Sequence, residues 1–427
     1  MNLPRSTSSM PPVTCTQLEH GLTLIHQEMT VTDVVTVDVW VKAGTIAEPE
    51  HWSGMAHFLE HMIFKGSDRL RPGEFDLLIE GQGGHANAAT SHDYAHFYLA
   101  VPAFAFTVTL DALAELLLRA AIPADEFVRE REVVFEEMSR AYDDPDWVGF
   151  QALMQQVYQH HAYGRPVLGT IEHLQEMSDR EMRQFHQTYY QPENMTVVVV
   201  GNIDAETAIA AVQKSFSEFP RATHLPGCSL EAEPPIIGIR RQTLVLPQVE
   251  EVRLMLAWLT PPLSLGQTGE AGLAPTLDLL GVLLTGGRSS RLMRELREER
   301  QLVHDIQASF TQQRDSGLFT ITAWLAAEEL DRVEAIICDR LIELMHSPVG
   351  KTELDRLKRL IINDYAFSTE TTGQLAGLYG YNHTLSHWQI ALDYPRYIQA
   401  VTPEAICNVA SQVISPYHYA ATIVRSD

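Results

Sequence analysis

Cysteine is scarce in this sequence. Four residues, Cys15, Cys228, Cys338 and Cys407, are scattered along 427 positions, and no two of them form a Cys-x-x-Cys pair. This distribution argues against a disulfide framework and against a metal site built from cysteine. It indicates reduced thiols in a reducing compartment.

Basic residues are also few. Lys and Arg number 31 against 55 Asp and Glu, which gives a formal net charge of −24. Because phosphate binding depends on clustered Lys and Arg, we predict that the chain does not bind nucleic acid. The acidic charge either serves solubility or lines walls that attract cationic peptides.

Neither a secretory signal nor a membrane-spanning segment is visible in the sequence. No stretch approaches the roughly 20 apolar residues that cross a bilayer, so we expect no membrane partner. Residues 1–15 contain no apolar core of a secretory signal. These features predict a cytoplasmic location, and an organelle matrix is the alternative if a transit peptide has been removed.

The sequence does contain a dense group of ionisable residues within an apolar segment. His57, Glu60 and His61 lie in SGMAHFLEHMIFKGSDRL, whose many apolar positions predict a helix. On a helix the two histidines project from one face, one turn apart, with Glu60 in the same arc. Two imidazoles at this spacing suit a zinc ion, and the nearby glutamate suits a general base. The alternative is a pair of core histidines beside a chance glutamate.

A zinc site of this kind needs a third protein ligand, and the segment ADEFVREREVVFEEMSRAYDD offers carboxylates. At helical spacing Glu130 and Glu137 share the apolar face formed by Phe127, Val134 and Met138. We predict Glu137 as the third zinc ligand. We predict Glu130 as a catalytic residue that orients a histidine or handles protons. A charge-rich, solvated helix is the alternative.

These motifs resemble those of the pitrilysin/insulinase family of inverzincin zinc metallopeptidases. The resemblance rests on His57-x-x-Glu60-His61 and on EREVVFEE, in which Glu137 follows His61 by 76 positions. It extends through GQGGHANAATSHDYAHFYLAVP to the segment that closes with VVVVGNID. The closest likeness is to the short-chain branch that includes the catalytic subunit of mitochondrial processing peptidase. The resemblance implies hydrolysis of unfolded or extended peptides inside a closed chamber.

A faint internal repeat predicts two homologous domains. The helix, turn and strand pattern that starts at Ser178 recurs from Thr402, an offset of 224 positions. KGSDRL at 65–70 is answered by GRSSRL at 287–292, an offset of 222. We predict an α+β fold in which each domain is a mixed, largely antiparallel β-sheet with helices packed on it.

The predicted domain limits follow from this repeat and from a segment rich in Pro and Gly near the middle of the chain. Residues 1–220 form a zinc-binding catalytic domain, 221–240 a linker, and 241–427 a homologous domain. In the second domain the counterpart of the histidine motif reads LGVLLTGG, which contains no metal ligands. We therefore expect one Zn²⁺ per chain.

The family resemblance implies that the second domain carries an Arg and a Tyr that contact substrate and stabilise the developing oxyanion. In this sequence the arginine corresponds to Arg297, but the tyrosine position is occupied by His304. We therefore favour a heterodimer in which a homologous chain supplies the Arg/Tyr pair. A homodimer remains the alternative, with His304 as the hydrogen-bond donor. The alternative for Arg297 is that it is one charge in a charge-rich, solvated segment.

Asn87 and Ala88 are further candidates for substrate binding. A peptide laid against an edge strand would pair with its backbone, and Asn87 could hold a carbonyl group. The alternative for Asn87 is a turn residue that follows two glycines. His92 is interpreted as structural or substrate-facing, and His160 and His161 as solvated loop residues.

The combined prediction is a zinc-dependent endopeptidase in which Glu60 activates a zinc-bound water for attack on a peptide bond. The predicted cofactor is Zn²⁺, and the predicted partners are a peptide substrate and a second homologous chain. The alternative is a non-catalytic scaffold subunit of a larger complex. Such scaffolds tend to lose ligands, whereas this sequence contains every candidate ligand and the base.

Overall fold

The structure is a computed structural model that describes residues 12–222, 231–262 and 272–426. It contains two β-sheets, one in each half of the chain. Cys228 and part of the predicted linker lie outside the described residues. The other three cysteines are free thiols.

The first sheet has six strands in the spatial order β1-β2-β6-β3-β5-β4. Their residues are β1 (Thr14–Gln17), β2 (Thr23–Glu28), β3 (Val34–Val41), β4 (His85–Thr90), β5 (Ala95–Pro102) and β6 (Met195–Gly201). β2 and β6 are parallel, and the other neighbours are antiparallel. Strand β4 therefore forms one edge of the sheet.

Eight helices belong to this half of the described chain. They are α1 (Met55–Ile63), α2 (Glu74–Gly81), α3 (Phe106–Leu118), α4 (Ala124–Tyr142), α5 (Pro145–Val157), α6 (Ile171–Glu176), α7 (Asp179–Tyr189) and α8 (Ala205–Ser215). Helix α7 begins with a capping box between Ser178 and Glu181, as its sequence predicts. Apolar residues of α1, α3, α4, α7 and α8 pack with one face of the first sheet in a single core.

The second sheet has the order β7-β11-β8-β10-β9. Its strands are β7 (Ile239–Val245), β8 (Val252–Thr260), β9 (Asp305–Gln312), β10 (Gly317–Leu325) and β11 (Tyr419–Arg425). The helices of this half are α9 (Leu273–Thr285), α10 (Leu330–His346), α11 (Lys351–Phe367), α12 (Thr372–Leu385), α13 (Gln389–Ala400) and α14 (Pro403–Val413). A short π-helix spans Met293–Glu299.

The two sheets share one topology. The order β2-β6-β3-β5-β4 of the first matches β7-β11-β8-β10-β9 of the second, including the parallel pair β7 and β11. This match confirms the predicted α+β fold with duplicated, largely antiparallel sheets. The predicted domain limits remain a prediction, although β7 begins at Ile239, inside the segment assigned to the linker.

Each half contributes one helix to the other half's sheet. Helix α12 packs on β3 and β6 of the first sheet, and α5 packs on β8 and β11 of the second. In each of these contacts the helix comes very close to the sheet at a glycine. A Cβ at Gly380 would lie 2.0 Å from Trp40 Nε1, and one at Gly149 would lie 2.7 Å from Val424 Cγ2. Only glycine allows these approaches without a shift of the packed elements.

The exchange of α5 and α12 creates two apolar clusters in addition to the two main cores. One joins Trp40, Val198 and Tyr379 on the outer face of the first sheet. The other joins Met154 and Met255 on the second. Within the described part of the chain, no helix combines the length and apolarity needed to cross a bilayer.

Candidate metal centre

Helix α1 presents both histidines of the motif on one face. Its apolar residues are buried, and the ring centroids of His57 and His61 are 4.8 Å apart. His57 is itself buried, and His61 is half-buried. The sequence prediction of a buried helix with two imidazoles on one face agrees with this geometry.

Helix α4 lies beside α1 and brings a carboxylate to the histidines. Glu137 Oε1 is 3.7 Å from His57 Nε2, and Glu137 Oε2 is 3.4 Å from His61 Nε2. Ligands 2.0–2.2 Å from a tetrahedral zinc ion lie about 3.3 Å from one another. The three side chains therefore fit the donor set and spacing of a zinc site, and they form the one such cluster found among the described residues.

Glu130 contacts His61 at the ring nitrogen that faces away from Glu137. Its Oε1 atom is 2.9 Å from His61 Nδ1, and its Oε2 atom accepts a 2.6 Å contact from Lys65 Nζ. Glu130 is buried at one turn's distance from Val134 on the inner face of α4. When the Nδ1–H of His61 donates to the Glu130 carboxylate, Nε2 carries the lone pair, and Nε2 is the nitrogen that faces Glu137. The position agrees with the predicted orienting role, while a role in proton transfer stays a prediction.

Glu60 points into the same region and is held by the edge strand. Thr90 Oγ1, near the end of β4, donates a 2.6 Å hydrogen bond to Glu60 Oε2. Burial raises the pKa of Glu60 above its ordinary value, and the bond from Thr90 opposes that rise. A carboxylate with a raised pKa is a better proton acceptor, as a general base requires.

Burial and the contacts within the cluster shift the pKa values of its members in different directions: those of His57 and Glu137 fall, and that of His61 rises. Burial lowers the pKa of His57 to about 4, and repulsion from His61 adds to the effect. Burial also opposes charge on His61, but its bonds to Glu137 and Glu130 outweigh burial and raise its pKa. The bond from His61 lowers the pKa of Glu137. A neutral imidazole and an ionised carboxylate are the forms that bind a metal.

The predicted peptide-contacting residues lie on the edge strand. Asn87 is exposed on β4, and its Oδ1 atom accepts a 2.9 Å bond from the backbone nitrogen of Ala88. Ala88 is partly buried against the first core. Both residues share the short strand that ends in Thr90, the partner of Glu60.

Arg297 and His304 have partners in the second half of the chain. Arg297 lies 3.6 Å from Asp305, and His304 Nδ1 lies 2.8 Å from Glu251. Both side chains are about half exposed or more, at 46% and 66%. The contacts of the two residues thus do not join them to the histidine cluster, and their roles stay predictions.

The interpretation of His161 as a solvated loop residue is wrong. The side chain is buried and lies 3.5 Å from Asp315, in the turn between β9 and β10. The loop that contains His161 is packed between the two halves of the chain, and the His161 side chain is not exposed to solvent. His92 is partly buried, with Nε2 3.2 Å from the Arg165 carbonyl oxygen, which fits its predicted structural role.

Two residues that contact the centre were not foreseen. Thr90 and Lys65 reach Glu60 and Glu130 only through the fold, because neither is at helical spacing from its partner. One signal could have pointed to Thr90, because it ends the edge strand that carries Asn87.

Two family descriptions match successive parts of the chain. Residues 23–171 match the insulinase domain of peptidase family M16, and residues 177–361 match the domain described as the inactive domain of peptidase M16. The chain belongs to the insulinase family, peptidase family M16. The second match begins before β6, a strand of the first sheet, so its start does not coincide with the predicted linker.

Curated relatives of the family cover almost the whole chain. A protein named as an uncharacterized zinc protease in Bacillus subtilis is 28% identical over 411 residues, which is 96% of this chain and 97% of the relative. One of the same description in Mycobacterium tuberculosis strain H37Rv is 27% identical over 415 residues, 96% of this chain and 92% of the relative. These names and the M16 domains support a zinc protease.

Solved structures agree in fold. The crystal structure of a protease from Helicobacter pylori has a TM-score of 0.89 and 25% identity, covering 97% of this chain and all (100%) of the other. A structure described as a peptidase M16 inactive domain from Pseudomonas fluorescens has a TM-score of 0.86, covering 97% and 98%. At 20% identity, the second match bears on the fold alone.

Proposed function

We propose that this chain is a zinc-dependent endopeptidase that hydrolyses extended or unfolded peptides. The observation that carries the proposal is the convergence of His57, His61 and Glu137 within 4.8 Å of one another, with Glu60 on the same helix face. Glu130 supports the assignment because it contacts the nitrogen of His61 that faces away from Glu137.

The proposed chemistry divides between the metal and the protein. When bound, zinc would lower the pKa of its water to about 7 and polarise the scissile carbonyl group. His57, His61 and Glu137 would hold the ion through Nε2, Nε2 and a carboxylate oxygen. Thr90 donates to Glu60 Oε2, which leaves Oε1 to take the proton of the attacking water. Glu60 then passes that proton to the leaving amine.

The proposed substrate site is the outer edge of β4, which pairs with no other strand among the described residues. An extended peptide would add to this edge as a further strand and so lie next to Glu60, which Thr90 ties to the same strand. The exposed hydrogen bond from the Ala88 backbone N–H to Asn87 Oδ1 would break. The Ala88 N–H would then donate to a carbonyl group of the bound peptide. Strand pairing forms hydrogen bonds with the backbone of the peptide, so this mode of binding suits extended peptides of varied sequence.

We further propose that the chain works as the zinc-bearing subunit of a dimer. His304 stands where the family resemblance implies a tyrosine, and it is paired with Glu251. Arg297 is exposed near Asp305. A homologous chain that supplies an Arg/Tyr pair would complete the site, and a homodimer is the alternative.

The test is a quenched-peptide assay with and without a chelator, run first on the chain alone and then with a homologous chain from the same source. Glu60→Gln should bind zinc normally and lose hydrolysis by about 10²–10⁴-fold, because the base is absent. Glu132→Gln, an exposed carboxylate on α4, is the matched control and should behave as wild type. Turnover by Glu60→Gln, or activity that survives full chelation, would refute the assignment.

A further inference from the structure

The two histidines of the proposed centre are held in different ways. His61 has the carboxylate of Glu130 on Nδ1 at 2.9 Å. His57 Nδ1 is buried, and no described residue forms a hydrogen bond with it. Outer partners normally fix the ring orientation of a ligating histidine. The direction of the His57 ring therefore depends on where the helix backbone places it.

That backbone is held by a glutamate from the preceding segment. Glu48 is fully buried, at 0% exposure, and accepts two hydrogen bonds at the start of α1. Its Oε2 atom is 3.0 Å from Gly54 nitrogen, and its Oε1 atom is 2.7 Å from Ala56 nitrogen. The first N–H groups of a helix have no partner within the helix, so a carboxylate there both satisfies them and complements the helix dipole. Ala56 directly precedes His57.

The segment that carries Glu48 is itself braced. Arg165 donates to the carbonyl oxygens of Glu48, at 3.1 Å, and Thr45, at 3.2 Å. Gly169 lies so close to the start of α1 that a Cβ there would stand 2.3 Å from Ser53 oxygen. The loop after α5 and the segment before α1 thus hold each other in place. Glu48 cannot move without moving these contacts.

We propose that Glu48 is a positioning residue for the metal centre, fixing the first turn of α1 so that His57 Nε2 faces Glu137. Glu130 does the corresponding work for His61 from the other helix. The bonds that Glu48 accepts from Gly54 and Ala56 are to the backbone of α1, so its proposed effect on His57 is transmitted through that backbone. This inference rests on the proposed zinc site.

The variant that tests the inference is Glu48→Gln in the full-length chain. The amide keeps the shape but places an NH₂ group against one of two backbone N–H donors. Glu50→Gln, an exposed carboxylate two positions away, is the matched control. Cobalt(II) is the probe, because its visible absorption reports ligand geometry, and zinc affinity is measured by competition with a chelator well below the unfolding temperature.

We expect Glu48→Gln to change the cobalt absorption spectrum and to weaken zinc binding by about 10–100-fold, the range for residues that orient ligands. Glu50→Gln should match wild type in both measurements. If Glu48→Gln does not fold, Arg165→Met, which removes the brace and leaves Glu48, should alter the spectrum in the same direction.

A folded variant with a wild-type spectrum and wild-type zinc affinity, and only a lower unfolding temperature, would overturn the inference. It would reduce Glu48 to a structural cap. Wild-type protein that binds neither cobalt nor zinc would instead refute the zinc site itself. The two failures are therefore distinguishable.

Discussion

The helix pair α1 and α4 on the first sheet corresponds to the pair α9 and α11 on the second, and the two pairs differ in chemistry. Glu130 is the seventh residue of α4, and the seventh residue of α11 is Leu357. Both are buried. Where α1 carries its histidines, α9 carries leucines that belong to the second core: Leu279, Leu280, Leu283 and Leu284.

The two helix pairs differ most in the polar residues on their inner faces. Glu137 is the fourteenth residue of α4, and the fourteenth residue of α11 is Asp364, an exposed carboxylate. An acid is thus present at this position in both halves. The polar residues His57 and Glu130, which are buried, and His61, which is half-buried, distinguish the first half, and removing such groups from water is unfavourable without partners. The apolar pair packs without that requirement.

The largest effect should come from removing the proposed third ligand. Glu137→Ala should lower zinc affinity by more than about a hundredfold, since residues that only orient ligands already account for 10–100-fold. Glu136→Ala, on the exposed side of the same helix, is the control and should keep wild-type zinc content by elemental analysis. Unchanged zinc content in Glu137→Ala would assign the ligand to another carboxylate.

A second variant tests whether the apolar pair serves packing alone. Leu357→Ala should reduce the free energy of unfolding by about 2–5 kcal/mol, because it leaves a cavity in the second core. Zinc affinity of the folded protein should not change. Leu360→Ala, on the exposed side of α11, is the control and should cost far less. Weaker zinc binding by folded Leu357→Ala would show that the two helix pairs are coupled.

The smallest expected effect concerns pH. Burial raises the pKa of Glu48 from 4.5 to about 7, against the opposing bonds from Ala56 and Gly54. Between these values the folded chain keeps a proton that the unfolded chain has released, so this contribution to stability is present below pH 4.5 and is lost as pH rises to about 7. The loss is at most about 3 kcal/mol.

The comparison group is Asp278 on α9, in the second half. Burial raises its pKa from 3.8 to about 6, so its contribution falls with rising pH in that lower window. Urea unfolding of the metal-free protein measures both. The wild-type minus Glu48→Gln difference in unfolding free energy should fall between pH 4.5 and 7, and the difference for Asp278→Asn should fall between 3.8 and 6. Parallel curves for wild type and Glu48→Gln would contradict the assignment to Glu48.

Much of the fold and of the centre could be predicted because the signals are local. Strand β3 coincides with a partly alternating run of apolar residues and β8 with a nearly continuous one, and the helix starts at Ser178 and Thr402 follow from capping residues. The histidine spacing places both rings by helix geometry alone. Glu137 could be proposed because an acid on an apolar helix face needs a cation nearby.

The remainder depends on contacts between segments distant in sequence. Thr90 reaches Glu60 across 30 positions, and no periodicity relates them. Glu48 lies in an irregular segment, where its burial depends on the later loop that carries Arg165. His161 was misjudged for the same reason, since its loop is buried by the opposite half of the chain. The exchange of α5 and α12 also left no signal, because an amphipathic helix does not specify which sheet it covers.

That exchange constrains how a chain of this kind can arise. A single unit alone would have one uncovered sheet face, since the helix that covers it belongs to the other unit. Two identical units could protect each other only by trading that helix, which is a symmetric, domain-swapped dimer. Gene duplication and fusion of such a dimer would give the present arrangement directly. After such a fusion, one copy could lose its metal ligands and still cover the sheet of the other copy.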